Sequence, residues 1–468
     1  EPEPCFRHLA VSFCPASADT CHLEKEHIML QKINGHINRA CQLLKDADPH
    51  NFFPRTLEFS PPARGTWNIV HTALQLPEAH QIYICASGCL RGVVLTAAER
   101  GAMDRFSTIE LLEKDLVRTD NERLIIDGIT DILTNLPKLP PVVLVFTACF
   151  HHFMGTDLHY VYHTLRQRFP GTDFAQCIMD PIRQTRSITP EERLRREIYR
   201  LWSPQPQQPK TCNILSGNLA TDDSSELIQL LQTNGWVIRD MNTCHSYAEF
   251  QQMAASCLNI YCNPFGHKAA RDLKQRLGQD YLFLPQYWRC DEILTSLTEL
   301  AEQIHVPLPD YRHRIAESEL ALDALHEQLD KTPIALDYTL TFAPFSLARM
   351  LCEHGFNVCR IYADGVTPED RQNFDWLQQN HGSIELWSAK HPDERVLPRS
   401  TTEKILCLGQ KAAWFNDSPY FVEFVEGGGH YGIDAIMRLV RSMSKAFLIP
   451  KDTRQIISRK GFGGPCCL

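Results

Sequence analysis

Short apolar runs alternate with amphipathic segments along most of the chain, and this alternation predicts the fold. The runs His80 to Cys85 (HQIYIC) and Pro141 to Phe146 (PVVLVF) are almost uninterrupted. Such runs are typical of parallel strands that are buried on both faces. The segments between them carry apolar residues at helical spacing, as in Asn121 to Leu136. The pattern therefore predicts an α/β fold of open parallel sheets flanked by helices, arranged as three Rossmann-like domains.

Breaks in this pattern divide the chain into parts. Helical spacing over Glu24 to Leu44 predicts a helix near the N-terminus, and the stretch SPQPQQPK (203–210) is typical of a linker. The predicted parts are an N-terminal arm and helix (1–54), a first α/β domain (55–205), a second α/β domain (211–310), a bridging helix (311–330) and a third α/β domain with a C-terminal tail (331–468).

Composition narrows the class of protein. Of the 468 residues, 43% are hydrophobic and 22% are charged, values close to those of soluble globular proteins. The net charge of −9 disfavours binding to nucleic acid or to an anionic membrane. No apolar stretch reaches the roughly 18–20 residues of a membrane-spanning helix, and the first residues lack the pattern of a secretory signal. We therefore expect a cytoplasmic protein.

Cysteine is the unusual component. The chain has 18 cysteines, about 4% of its residues, which is below the roughly 8–10% of disulfide-linked scaffolds. A cytoplasmic chain of this length needs no disulfides to fold. The cysteines are therefore buried thiols, metal ligands or catalytic groups. We expect Cys352, Cys359 and Cys407 to be buried, because they fall within a predicted helix and predicted strands.

Four other cysteines stand where ligands gather in parallel sheets, beyond the carboxyl ends of strands. Cys85 ends the first apolar run and Cys89 follows it in a turn. Cys149 follows PVVLVFTA, and Cys262 follows LNIY. Thiolates at several strand ends suit an iron–sulfur cluster or zinc. The alternative is that these thiols are incidental.

Several familiar active-site motifs are absent from the sequence. It contains no GxxxxGK[ST] phosphate-binding loop, no GxSxG nucleophile motif and no pair of CxxC motifs. The glycine-rich GGGHYG (427–432) does not have the GxGxxG spacing of a dinucleotide-binding turn. A P-loop nucleotidase, an α/β-hydrolase and a zinc ribbon are therefore disfavoured.

Three segments share a recognisable pattern: FSPPARGTWNIV (59–70), ICASGCLRG (84–92) and VVLVFTACFHHFMGTDLHYV (142–161). They resemble the nitrogenase component 1 family of oxidoreductases, which includes nitrogenase subunits and tetrapyrrole reductases. In the family pattern, Cys89 matches the second cysteine and Cys149 the third, and MGTD (154–157) stands at the position of Gly-Asp-Asp. The first cysteine is missing, because Ser60 and two prolines occupy its place.

This resemblance implies an iron–sulfur cluster at a subunit interface. Because the first cysteine is missing, a simple [4Fe–4S] cluster is favoured over the double-cubane P-cluster. Cys85 is one candidate for the missing ligand, and a second subunit is another source. The N-terminal arm offers further candidates, namely Cys5, Cys14 and Cys21. The metal ligands predicted in this way are Cys85, Cys89, Cys149 and Cys21, with Cys262 for a second centre.

Two downstream segments resemble those that hold a complex iron–sulfur cofactor in the family. LNIYCN (258–263) matches the segment that supplies a cysteine, and GGGHYGID (427–434) the one that supplies a histidine. The resemblance implies that Cys262 and His430 bracket a second cofactor in a central cleft between the domains, where His430 is also catalytic. Arg438 either lines an anionic cofactor there or faces solvent. His152 either donates protons, shapes a docking surface or is a solvated residue at a helix start.

The function implied by the resemblance is the catalytic component of a two-component reductase from an anaerobic setting. A separate, homodimeric ATP-dependent iron–sulfur protein delivers the electrons, and the chain associates with itself or with a related subunit. Three alternatives stay open. Within the family these are a non-catalytic scaffold for cofactor assembly and a tetrapyrrole reductase, and outside it a metabolite-binding α/β protein with incidental cysteines.

Overall fold

The computed structural model describes residues 39–54, 58, 68–116, 120–179, 189–215, 217–395 and 404–453. The predictions made for Cys5, Cys14, Cys21 and Ser60 lie outside these residues.

Strands and helices alternate along the described chain, as the apolar pattern predicts. The strands are β1 (Cys41–Leu43), β2 (Ala79–Cys85), β3 (Phe106–Glu110), β4 (Val142–Ala148), β5 (Asp173–Met179), β6 (Gln208–Ile214), β7 (Val237–Asp240), β8 (Ser256–Tyr261), β9 (Asp280–Phe283), β10 (Ile334–Asp337), β11 (Val358–Tyr362), β12 (Glu385–Trp387), β13 (Leu406–Leu408) and β14 (Phe421–Val422). The α-helices are α1 (Ile69–Leu74), α2 (Ser87–Glu99), α3 (Glu113–Leu116), α4 (Asn121–Asn135), α5 (Cys149–Phe153), α6 (Leu158–Arg168), α7 (Pro190–Tyr199), α8 (Glu226–Thr233), α9 (Tyr247–Gln252), α10 (His267–Leu277), α11 (Cys290–Gln303), α12 (Arg312–Leu329), α13 (Pro344–Glu353), α14 (Arg371–Asn380), α15 (Gln410–Asn416) and α16 (Ile433–Leu448).

The described strands form three sheets. The first sheet has the order β3-β2-β4-β5, the second β7-β6-β8-β9, and the third β1-β12-β11-β10-β13-β14. Every pair of neighbouring strands in these sheets is parallel except β1 with β12. Parallel strands joined through helices require both faces of the sheet to be covered. The predicted fold class, parallel sheets flanked by helices, is confirmed.

Burial of both faces explains why the central strands of the first sheet are continuously apolar. On one face of β2, Ile82 and Ile84 belong to a core that α4 and α6 complete. On the other face, Tyr83 and Cys85 belong to a core that extends to α7, to Phe250 of α9 and to Tyr261 of β8 in the second sheet. The first and second α/β units therefore share one hydrophobic core.

Two strands contradict the helices predicted in their place. The helix predicted over 24–44 does not extend to its predicted end, because Cys41–Leu43 pairs antiparallel with β12 at the edge of the third sheet. The sequence also predicts a helix over Glu110 to Leu116, but the helix begins only at Glu113, because Phe106–Glu110 pairs with β2. In both cases pairing with a distant strand outweighs the local spacing. Similarly, β6 begins inside the predicted linker, at Gln208.

The domain boundaries predicted from the sequence stay a prediction. The strand β1, which belongs to the N-terminal segment 1–54, lies at the edge of the third sheet. In the part of the chain that the structure describes, no helix has the length and apolar character that crossing a membrane requires.

Candidate functional site

Two of the predicted ligands lie where the order of the first sheet reverses. The chain runs from β2 to its neighbour β3 and then crosses to β4, on the other side of β2. In open parallel sheets such a reversal opens a crevice at the carboxyl ends of the two strands, where ligands bind. Cys85 is the last residue of β2, and Cys149 directly follows β4 as the first residue of α5. The topology therefore brings both cysteines to the same crevice.

Cys85, Cys89 and Cys149, called here the cysteine group, differ in exposure. Cys85 is buried, Cys149 is half-buried and Cys89 is exposed. Burial, followed by negative charge on Cys89 and Cys149, raises the pKa of Cys85 to about 12. Cys85 and Cys149 stand at the carboxyl ends of the adjacent strands β2 and β4, and Cys89 lies in the first turn of the helix that follows β2. The group extends from the protein surface into the core.

The cysteine group suits an iron–sulfur cluster better than a single metal ion. Among the described residues, no three His, Cys, Asp or Glu side chains are arranged to bind one ion. A [4Fe–4S] cluster spaces its ligands more widely, because each thiolate binds a different iron atom. Cys89 lies in the first turn of α2, directly after the turn that follows β2. The three thiols therefore fit such a cluster, which they would hold together with one further ligand.

Cys262 and His430 line one pocket, called here the Cys262–His430 pocket. The order of the second sheet reverses between β6 and β8, and Cys262 directly follows β8. The loop after β6 contributes Gly217 and Thr221 to the pocket, and the glycine-rich segment after β14 contributes His430. The structure therefore brings these two predicted residues together, although they follow strands of different sheets.

The Cys262–His430 pocket does not fit a large metal cofactor. Its cavity volume is about 30 Å³, which holds about two water molecules. Gln286 closes the space, because its Nε2 donates to the His430 carbonyl at 2.6 Å and its backbone N–H donates to the Cys262 carbonyl at 3.2 Å. A Cβ on residue 427 would overlap Gln286 Nε2, so only glycine at Gly427 permits this packing.

Burial and nearby charges set the protonation of the groups around the pocket. Burial, with a contribution from Asp240, raises the pKa of Cys262 to about 12, as burial does for Cys85. The carboxylate residue Glu426 also lines the pocket. Burial and the positive charge of Arg438 lower the pKa of His430, so its imidazole is neutral. The His430 Nδ1 atom is buried without a hydrogen-bond partner.

Arg438 belongs to an ion-pair network instead of lining the pocket. Its Nε lies 2.7 Å from Asp434 Oδ2 and its Nη2 lies 3.1 Å from Asp222 Oδ1. Its Nη2 also donates to Ser224 Oγ at 2.8 Å. Asp222 belongs to the loop after β6 and Asp434 to α16, so the arginine joins the second α/β unit to the third.

His152 does not line the Cys262–His430 pocket. Its neighbour His151 is the histidine that a specific hydrogen bond holds in place. His152 is exposed and borders a cavity of about 200 Å³ beside β4 and β5. His151 is buried, and its Nδ1 accepts the backbone N–H of Ala148 at 3.1 Å. This bond ties the side chain to the residue before Cys149. His151 therefore helps to shape the start of α5, which carries Cys149.

Three residues around the pocket escaped the sequence analysis: Asn218, Gln286 and Glu426. Asn218 and Gln286 carry no local signal, because their partners are distant in the chain. Glu426 directly precedes the three glycines at 427–429, a position that could have drawn attention to it.

Taken together, these features define an α/β protein of three sheets, parallel except for the edge strand β1, with cysteines at two points where the strand order reverses. The family model for nitrogenase component 1 type oxidoreductases matches residues 70–405. The chain belongs to that family, and the resemblance seen in the sequence is confirmed.

Two solved structures share this fold. "Nitrogenase Cp1 at pH 6.5" is 13% identical, with a TM-score of 0.63, over 84% of this chain and 94% of that chain. "Nitrogenase Cp1 at pH 5" is 11% identical, with a TM-score of 0.58, over 87% of this chain and 93% of that chain. At this identity the likeness concerns the fold alone. The curated proteins include no match to the chain.

Proposed function

We propose that this chain is the catalytic, electron-accepting component of a cytoplasmic two-component iron–sulfur reductase. Its partner is a separate homodimeric iron–sulfur protein that hydrolyses ATP and delivers electrons one at a time. The chain itself pairs with a second copy or with a related subunit. The observation that supports this proposal most strongly is the convergence of Cys85, Cys89 and Cys149 at one crevice of the first sheet.

The exposure of the cysteine group matches a role in electron entry. A [4Fe–4S] cluster held by these residues supplies one-electron transfer. Cys89 is exposed, on the side that a partner protein can approach, whereas Cys85 is buried in the core shared with the second sheet. The burial of Cys85 keeps water away from that side of the site. His151 positions the helix start that carries Cys149.

We assign the binding of a small substrate to the Cys262–His430 pocket. Its volume of about 30 Å³ suits a molecule of a few heavy atoms. The neutral imidazole of His430 offers Nδ1 for a hydrogen bond or a proton, and the thiol of Cys262 is protonated. The chain therefore provides two groups able to exchange protons with a substrate held between them.

The size of the pocket disfavours the scaffold alternative. A scaffold has to hold a multi-metal cofactor, which does not fit a pocket of about 30 Å³ between Cys262 and His430 with Gln286 on its wall. The volume does not bear on the tetrapyrrole-reductase alternative, which needs no cofactor between these two residues.

Electron acceptance is the property to test. The anaerobically purified chain is mixed with an ATP-dependent iron–sulfur reductase protein, dithionite and ATP, and the visible absorbance of its cluster is followed. We expect bleaching that requires both ATP and the reductase protein. The variant Cys257→Ser, which changes a half-buried cysteine outside the cysteine group, should bleach equally. A cluster-loaded chain that stays oxidised with every reductase protein tried would argue against the proposal.

A further inference from the structure

Asn218 is a buried residue that contacts all three α/β units. Its Oδ1 accepts from Thr72 Oγ1 at 3.1 Å and from Arg195 Nη2 at 2.8 Å. Both donors belong to the first unit, on α1 and α7. Its Nδ2 donates to Glu426 Oε1 at 2.7 Å, in the glycine-rich segment of the third unit. Asn218 itself lies in the loop after β6 and is 5% exposed.

Further bonds saturate the Asn218 amide. Gln75 Nε2 donates to its Oδ1 at 2.9 Å, and its Nδ2 also reaches Glu191 Oε1 at 3.1 Å. Two carboxylates, Glu191 and Glu426, thus share the Asn218 amide donor, and Glu191 also accepts from the Arg195 guanidinium. Buried carboxylates require hydrogen-bond donors. If an acceptor replaced the Asn218 NH₂ group, Glu191 and Glu426 would lose this donor and would face another acceptor instead.

The contact with Glu426 supports an unusual backbone. Glu426 has φ +51°, and Gly427, Gly428 and Gly429 follow at +75°, +65° and +76°. A non-glycine residue with positive φ is strained and persists only when its surroundings hold it. Asn218 holds the Glu426 carboxylate twice, since its backbone N–H also donates to Oε2 at 3.2 Å. His430 directly follows this left-handed turn.

The same loop also holds the far end of the turn. The backbone N–H of Asp222 donates to the Gly429 carbonyl at 2.8 Å. A Cβ at Gly429 would overlap the carbonyl oxygen of Ala220, so the two segments approach closely. The turn Glu426–Gly429 is therefore clamped at both ends by the loop that carries Asn218.

We propose that Asn218 is a positioning residue, which holds the left-handed turn Glu426–Gly429 and thereby sets the place of His430 in the Cys262–His430 pocket. A role of His430 in a reaction rests on the function proposed above. The placement of His430 by Asn218 does not depend on that function. Its test therefore needs neither a cluster nor turnover, and its failure is distinguishable from a failure to accept electrons.

The test compares four variants of the full chain with the wild type. Asn218→Ala removes the amide, and Asn218→Asp replaces its donor with a charge that faces Glu426. The double variant Asn218→Asp with Glu426→Gln returns a donor to the opposite side of the same contact. Asn213→Ala is the matched control, because Asn213 is a buried asparagine of β6 whose side chain bonds only within the second unit.

Hydrogen–deuterium exchange of residues 426–430 is the first readout. We expect about tenfold faster exchange there in Asn218→Ala and Asn218→Asp, with β2 and β4 unchanged. The double variant should recover at least half of the protection from exchange that the single variants lose. Asn213→Ala should leave the exchange of residues 426–430 unchanged. Equal acceleration across the whole chain, or a turn unaffected by either Asn218 variant, would overturn the proposal.

The second readout follows His430 itself. In chains labelled with ¹⁵N-histidine, the signal of His430 is identified by its loss in His430→Gln. We expect it to shift in Asn218→Ala and to return towards its original position in the double variant. If Asn218→Ala does not fold, Asn218→Ser replaces it in both readouts. A His430 signal that shifts as much in Asn213→Ala would show a general structural effect and overturn the assignment.

Discussion

Cys85 and Cys149 stand at the carboxyl ends of adjacent parallel strands, and negative charge on Cys149 contributes to raising the pKa of Cys85 to about 12. They are separated in sequence by two complete strands, β3 and β4, and by the helices α2, α3 and α4. Their approach depends on the crossing of the chain from one side of β2 to the other. A pair of thiols at such a position is the main structural argument for a cluster in the first sheet.

Cys85 should be required for iron binding even though it is fully buried. Cys85→Ser replaces a soft sulfur ligand with a hydroxyl, so we expect at least a twofold loss of iron per chain after anaerobic purification. Cys177→Ser is the matched control, because Cys177 is a buried cysteine of β5 in the same core. It should lower stability while leaving the iron content unchanged. Equal iron in Cys85→Ser and the wild type would remove Cys85 from the ligand set.

Cys262→Ala and His430→Gln should leave the iron content unchanged. The cavity between these residues is about 30 Å³, which is too small for a metal cluster. Iron analysis of each purified variant checks this expectation. A wild-type iron content well above that of one cluster, which falls in either variant, would show that a second metal cofactor occupies the pocket.

Acid should destabilise the protein through His80. The side chain is 4% exposed, and burial lowers its pKa from 6.5 to about 4. Between these pH values the unfolded state binds a proton that the folded state does not, so the free energy of unfolding falls as the pH falls. The contribution is about 3 kcal/mol by pH 4. Urea unfolding between pH 4 and 7 measures it.

His80→Gln should flatten this pH dependence, since glutamine does not titrate. His163→Gln, which changes an exposed histidine, should leave it in place. The same slope in His80→Gln as in the wild type would assign the acid sensitivity to other groups.

The fold was largely predictable because strands that are buried on both faces of a sheet have continuously apolar sequences. The strands β2 and β4 are buried throughout and read as continuous apolar runs. By contrast, β3 is exposed at alternate residues and lies at the edge of the first sheet, so its five residues carry no such run. The strand β1 owes its conformation to β12, more than 300 residues away in sequence, and no local pattern could indicate it.

The site was predictable only where strand ends mark it. Cys85, Cys149 and Cys262 stand at the ends of recognisable strands, which is why the sequence singles them out. Gln286 and Asn218 act through contacts with residues 144 and 208 positions away, and these depend on how the units pack. The size of the pocket follows from the same packing and could not be predicted from the sequence.

The most direct test of this account is the iron and sulfide content of the anaerobically purified chain, compared with that of the double variant Cys89→Ser, Cys149→Ser. We expect about four irons and four sulfides per cluster in the wild type, with a brown colour that is absent from the double variant. An iron-free, colourless wild-type chain that remains folded, or a double variant with its full iron content, would contradict the assignment of a cluster to the cysteine group.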